Sequence, residues 1–459
     1  MKSGDPSSIQ LADQIAVQLR AGDWAPGMVV GSEEDLCAQH DIGRSLLRQA
    51  VRVVKERGVA YMRRGYGGGL VISEPNPEFA SRALAIAIES RMQGYAGLDA
   101  LLKATDTHLF LTGAPKLSPA ACDHVRRTAA RLNAMSADDF QLAAGHKEMT
   151  RTLRSLFKDP VVALAYQTTA EYGIDFLPYS VSVVEAGRRS ELWDLTMRMV
   201  EALIAADIAG LFDLRRRQQD IIHAAWRVWS DLDEKDRLVP HLNGSEPSWT
   251  RDVDNHAERL AREILRDIRL MGWRVGERIG GVVEIMERYG ATIGTVRQAA
   301  RLLEEHSAVR MERGRAGGLF ISTPDPAAAV KRAQDYLTQT VVDPDDVKSF
   351  LKQVMLDALT LLAPQRRPLA ELRAKTRQSG GHANAATDKI FCGALAALSG
   401  NAALEMFVEI LNGLLPDQAT GGRSADSTLV LKALSVGDGP SARRRFLHYA
   451  GGSALLGRP

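Results

Sequence analysis

The stretch GRSLLRQA at residues 43–50 has a counterpart in IGTVRQA at residues 293–299, with Arg48 and Arg297 standing 249 residues apart. At that one offset the chain aligns with itself for about sixty residues without a gap. Trp24 falls on Trp273, Gly27 on Gly276, Gly31 on Gly280, Arg52 on Arg301 and Arg64-Gly65 on Arg313-Gly314. Gly68-Gly69 falls on Gly317-Gly318, and Ile72-Ser73 on Ile321-Ser322. A register held through so many glycines and arginines reads as an internal duplication, and it requires one small fold to be built twice.

Each copy has the same local grammar. In IQLADQIAVQLRAGDW, residues Leu11, Ile15 and Leu19 recur at helical spacing, which predicts an amphipathic helix. APG turns the chain in the first copy and RVG in the second. SEEDLCAQH opens on Ser32 as an N-cap followed by acidic residues, which suits a short second helix. A third helix is predicted from about Arg44 to Arg57, stopped by Gly58. VAYMRR and LVIS flank GYGGG and read as a hairpin. Three helices and a hairpin describe a winged helix-turn-helix.

The third helix explains why such a unit would read DNA. Arg44, Arg48, Arg52 and Lys55 share one face, while Leu47, Val51 and Val54 form the opposite, apolar one. A helix so divided can enter a major groove while anchored to a core. Arg63, Arg64 and Gly65 in the first wing, and Arg313, Gly314 and Arg315 in the second, would approach a sugar-phosphate backbone. Ser45 completes the first helix start, and Thr292, Thr295, Arg297 and Arg301 are its counterparts in the second copy. A basic helix face can also be merely solvated; the attached wing and the duplication favour nucleic acid.

The stretch from Trp24 to Ser73 resembles the DNA-binding domain of the GntR family of bacterial transcription regulators. The family's Ser-Arg-x-x-Val-Arg-Glu-Ala helix start stands here as Gly43-Arg44-Ser45-Leu46-Leu47-Arg48-Gln49-Ala50. The second-helix arginine of the family falls on Glu34, and the first arginine of the second copy's helix falls on Ile293. The later stretches resemble the helical effector-binding FCD domain of the FadR subfamily. Its Ser-Gly-Asn motif stands at Ser399-Gly400-Asn401 inside DKIFCGALAALSGNAALEMFVEIL, and Asp159-Pro160 takes the corresponding place in the first half. The closing helix pairs of that domain are similar to MVEALIAADIAGLFDLRRRQ and LVLKALSVGDGPSARRRFLHY.

The resemblance implies a mainly α chain with two winged helix-turn-helix domains (1–75 and 255–324) and two antiparallel helical bundles (76–230 and 325–459). Residues 231–254, polar and interrupted by proline and glycine, read as a linker. Many FCD domains hold a divalent metal through an aspartate and three histidines. The histidine positions fall on Thr150, Thr196 and Gln218 in the first bundle, and on Cys392, Ser427 and either His448 or Tyr449 in the second. His146 lies one turn before Thr150, and Asp99 could supply a carboxylate, but two ligands do not make a site. No structural metal and no cofactor are therefore expected. A small organic effector in each bundle is implied, with no residue assigned to it.

Composition and motifs narrow the remaining classes. Three cysteines in 459 residues make no disulfide framework, and MKSGDPSSIQ carries no apolar signal region, so a cytoplasmic protein is expected. MVEALIAADIAGLF is interrupted by Glu201 and Asp207, so no membrane span is predicted. GYGGG lacks the setting of a phosphate loop, GGSALLG lacks nucleophile-elbow spacing, and no HExxH occurs; no enzymatic role is expected. The expected partner is a double-stranded DNA operator, read by a pseudo-dimer within one chain, with the half-site facing Arg44 and Arg48 the stricter. The alternative is a sensor or scaffold whose second head no longer reads bases.

Overall fold

Leu11, Ile15 and Leu19 form an apolar stripe that must be covered, and covering it organises the first head. The computed structural model describes residues 8–22, 24–56, 58–63, 65, 67–92, 96–134, 148–149, 152, 156, 159–173, 186–230, 256–314, 317–340, 342–365, 385–415 and 424–452. The linker 231–254, Arg64, Arg315, His146 and Thr150 lie outside the described residues. Helix α1 (Ser8–Ala21) lays its stripe on α3 (Arg44–Glu56), which turns Leu47, Ala50, Val51 and Val54 inward, and α2 (Glu33–His40) adds Leu36 to the same core. Beside them β1 (Val29–Gly31), β2 (Ala60–Arg63) and β3 (Gly69–Ile72) form an antiparallel sheet in the order β1-β3-β2. The hairpin β2–β3 matches the sequence reading. Strand β1 was not anticipated, because three residues after a turn are too few to show alternation.

Among the described residues the first half continues with α4 (Glu78–Arg91), α5 (Ala96–Thr112), α6 (Pro119–Asn133), α7 (Pro160–Gly173), α8 (Ala186–Ile204) and α9 (Ile208–Ser230). The second head repeats the first as α10 (His256–Leu270), β4 (Arg278–Gly280), α11 (Val282–Tyr289), α12 (Ile293–Glu305), β5 (Val309–Glu312) and β6 (Gly318–Ile321). Even its irregularities recur: the sheet shifts register between Val29 and Gly31, and again between Arg278 and Gly280. Gly69 (φ +152°) and Gly318 (φ +148°) sit so close to the carbonyls of Gly31 and Gly280 that a Cβ at either would overlap backbone. The chain ends with α13 (Pro326–Thr338), α14 (Pro344–Leu362), α15 (Ala385–Leu398), α16 (Ala402–Leu414), α17 (Ser424–Ser435) and α18 (Gly439–Gly452). The described chain is mainly helical with two small antiparallel sheets, and no described helix is long and apolar enough to cross a membrane.

The helices of the two halves are joined in one apolar core. Leu84, Ile88, Leu101 and Leu164 from α4, α5 and α7 belong to the same buried cluster as Val330, Phe350, Val354, Phe407 and Phe446 from the second half. At this seam α4 packs on α13 and α5 on α14. These are corresponding helices, since the 249-residue offset persists as far as the 3₁₀ turns Ala114–Lys116 and Ala363–Gln365. Each of these helices thus meets the helix that stands 249 residues from it in the sequence. In the first half α8 and α9 bury Leu192, Leu195, Leu214 and Ile221 in a smaller cluster of their own.

The second head is fastened to α4. Ile86 of α4 enters that head's core, Phe79 lies 5.0 Å from the ring of His306, and Arg332 sits over Phe79 and donates to the carbonyl of Glu305 at 2.8 Å. Arg269 of α10 meets Glu89 of α4 at 2.6 Å, with side chains only 6% and 4% exposed. Breaking a buried pair strands a charge, whereas replacing both partners removes the desolvation cost as well. Arg269→Met is therefore expected to destabilise the chain by roughly 3–5 kcal/mol in urea unfolding, and Arg269→Met with Glu89→Leu to recover most of that loss. Equal losses in the single and double variants would show that the pair is not what fastens the head.

Candidate nucleic-acid interface

The interface is built from α2 upward. Ser32 caps α2: its Oγ accepts from the Asp35 amide at 3.2 Å and donates to Asp35 Oδ2 at 2.7 Å, while the Ser32 amide donates to Asp35 at 2.9 Å. This reciprocal box fixes the first turn, and the hydrogen bonds at Ser32 hold the Asp35 carboxyl below its ordinary value. The same turn carries Glu33 and Glu34. Arg44 donates to Glu34 at 2.7 Å and Arg48 to Glu33 at 2.8 Å. Two of the arginines expected to meet DNA are thus paired with carboxylates of the neighbouring helix. The pairs are solvent-exposed and individually weak, so a phosphate or a guanine edge can displace them.

The rest of the predicted set is placed as follows. Ser45 and Arg52 are exposed on α3, and Arg63 on β2 donates to the Gly67 carbonyl at 3.1 Å across the exposed hairpin that holds Gly65. Arg48, Arg52 and Lys55 border an open cleft of about 650 Å³, with Glu78 of α4 and Gln298 and Glu305 of α12 on its other walls. The first head's basic face therefore opens towards the second head. In that head Thr292 caps α12, accepting from the Thr295 amide at 3.2 Å. Arg297, Arg301, Arg313 and Gly314 are exposed, and among the described residues Arg297 and Arg301 make no ion pair. The positions of Glu33, Glu34 and Arg44 are taken by Val282, Val283 and Ile293, and Val283 and Ile293 are exposed. One head carries an acid-paired basic helix; the other has free arginines beside an apolar edge.

Several of the bundle positions that the resemblance marks are engaged by other partners; Thr150 lies outside the described residues. In the first half Gln218 donates to Thr196 at 3.0 Å, and Thr196 donates to the Leu192 carbonyl at 2.9 Å. One turn away Arg215 meets the buried Asp106 at 2.6 Å, and Tyr166 donates to the same carboxylate. A guanidinium thus supplies the positive charge there. In the second half Tyr449 donates to the buried Asp388, and burial pushes the Cys392 thiol up. Asp99 is engaged by His223 at 3.1 Å and by Gln219 at 3.3 Å. The sequence reading did not connect Asp99 with His223, whose partner is more than a hundred residues away.

No protein-family model matches the chain, and no curated protein sequence matches it. Among solved structures, Streptococcus agalactiae GntR is similar with 17% identity and a TM-score of 0.30, over 48% of this chain and 99% of that one. Lar, described as controlling the expression of the Listeria monocytogenes agr system, is similar with 14% identity and a TM-score of 0.19, over 50% of this chain and 100% of that one.

Two expectations follow from the geometry. Glu34→Arg removes a carboxylate that competes with phosphate and adds a cation, so affinity for duplex DNA should rise roughly three- to tenfold and the salt dependence steepen by about one unit. Fluorescence anisotropy against salt concentration measures both, and unchanged binding would mean that the acidic turn does not face the DNA. The hydrogen bond with Asp99 raises the His223 imidazole above its ordinary value. The pair's stabilisation is then complete below that ordinary value and fades as pH rises through the raised one. Thermal melts of wild type and His223→Gln should differ at acidic pH and converge at alkaline pH.

Proposed function

We propose that the chain is a GntR-type transcription regulator of the FadR kind, a fused pseudo-dimer in which two winged helix-turn-helix heads read one operator. The observation that carries this reading is the pairing of α4 with α13 and of α5 with α14. Homodimeric regulators match two-fold protein symmetry to two half-sites, and an interface of like helices is how such symmetry is built. The repeated heads, with register shifts at corresponding places, support a duplication. Fusing the protomers makes the second head's arrival on DNA intramolecular. The helical stretches 76–230 and 325–459 would then be the effector-responsive part, taking a small organic molecule.

The heads contribute unequally in this reading. Arg44 and Arg48 are available once DNA displaces Glu34 and Glu33. Arg297 and Arg301 are free from the outset, whereas Ile293 offers only packing, against a thymine methyl for example. An arginine paired with guanine is worth about 1–3 kcal/mol of discrimination. The scaffold alternative draws on the exposed Ile293 and Val283, and the free arginines of the second head argue against it by retaining the means of backbone contact.

The test is selection from random duplexes with the full chain, followed by native mass spectrometry on the selected site. One chain per site is expected, on an imperfect palindrome whose half-sites carry different information. Arg48→Ala should relax one half-site only, while Arg313→Ala should weaken binding to every sequence. A site that requires two chains would refute the pseudo-dimer, and the absence of any selected sequence would favour the scaffold.

A further inference from the structure

We propose that His108, Asp159 and Asp346 form a binding site for a divalent transition-metal ion where the two halves of the chain meet. The three side chains come from separate elements: α5, the residue that precedes α7, and the first turn of α14. One potential ligand atom from each lies within 4.8 Å of the other two. This place is distinct from the bundle interiors, where Arg215 and the buried Cys392 stand.

The ring of His108 is held for such a role. Its side chain is 2% exposed, and Phe350, one turn from Asp346 on α14, packs edge-on at 5.3 Å. Nδ1 is buried and has no hydrogen-bond partner among the described residues, and Nε2 stands 3.5 Å from Asp159 Oδ2. That separation is long for a hydrogen bond. It matches two ligands of a tetrahedral ion, which sit about 3.3–3.4 Å apart when each bond is about 2.0–2.1 Å. Asp159 has divided its carboxylate: Oδ1 accepts from the Val161 and Val162 amides at 2.8 and 3.3 Å and caps α7. Oδ2 is left for the histidine side.

Charge points the same way. The carboxylates of Asp159 and Asp346 stand together beside the His108 imidazole. The cation facing them, Lys116, is on an exposed residue at the rim. The corresponding place across the seam is resolved differently. There Asp357 takes the position of His108, and Lys103 reaches it at 3.6 Å. Asn401 and Gly97 stand where Asp159 and Asp346 would be. One side of the seam thus has an ammonium facing its buried carboxylate, and the other has an imidazole and two carboxylates, a donor set suited to zinc or manganese. Asp159 and Asp346 are both partly exposed and give an ion its way in.

The experiment uses the full chain, freed of metal with a chelator and titrated separately with Zn²⁺, Mn²⁺ and Co²⁺ chlorides. Calorimetry and metal analysis should find one ion per chain for Zn²⁺ or Mn²⁺, Co²⁺ should give a visible absorption band, and the bound ion should raise the melting temperature. Asp346→Asn alters an accessible helix turn, and Asp159→Asn keeps a capping side chain, so both should fold. Each should weaken binding at least about tenfold, and the double variant should lose the cobalt band. Substoichiometric binding overturns the proposal. So does binding of equal strength in both variants, which would place the ion on other histidines.

Discussion

The seam between α4–α5 and α13–α14 is the constraint on which the rest depends. Leu84, Ile88 and Leu101 on one side and Val330, Phe350 and Val354 on the other are almost wholly withdrawn from water. The burial of these apolar side chains fixes how the first half sits against the second, and everything attached to α4 inherits that position. The second head is the main beneficiary, through Ile86 and the Arg269–Glu89 pair.

The heads were the legible part of the sequence. Leu11, Ile15 and Leu19 announced α1, the split between Arg44, Arg48, Arg52 and Leu47, Val51, Val54 announced α3, and the repeated glycines announced both hairpins. Periodicity names a buried face but not the surface that buries it. The common core of the two helical stretches was therefore hidden, although every helix in it is apolar enough to be recognised. Glu34 could be read as a departure from the family pattern; only the fold brings it and Glu33 to Arg44 and Arg48. His108 gave no signal at all, since Asp159 and Asp346 are remote in sequence and neither forms a motif with it.

Divergence between the copies is concentrated where each head faces something other than itself. Trp273 is buried and donates to the Ser322 carbonyl at 3.0 Å, while Trp24, at the same place in the first copy, is 37% exposed. The internal packing positions are conserved in kind: Leu47 and Val296, Ala50 and Ala299, Leu70 and Leu319 are all buried. The rims change from Glu33 and Glu34 to Val282 and Val283, and from Arg44 to Ile293. The two heads share their internal packing and differ in the chemistry of these rims.

The residues of α4 that fasten the second head are not repeated on α13: Ala328, Asp335 and Thr338 occupy the places of Phe79, Ile86 and Glu89. A head that is already seated gives up little orientational freedom when it meets a large rigid partner; a head without those anchors must give up more.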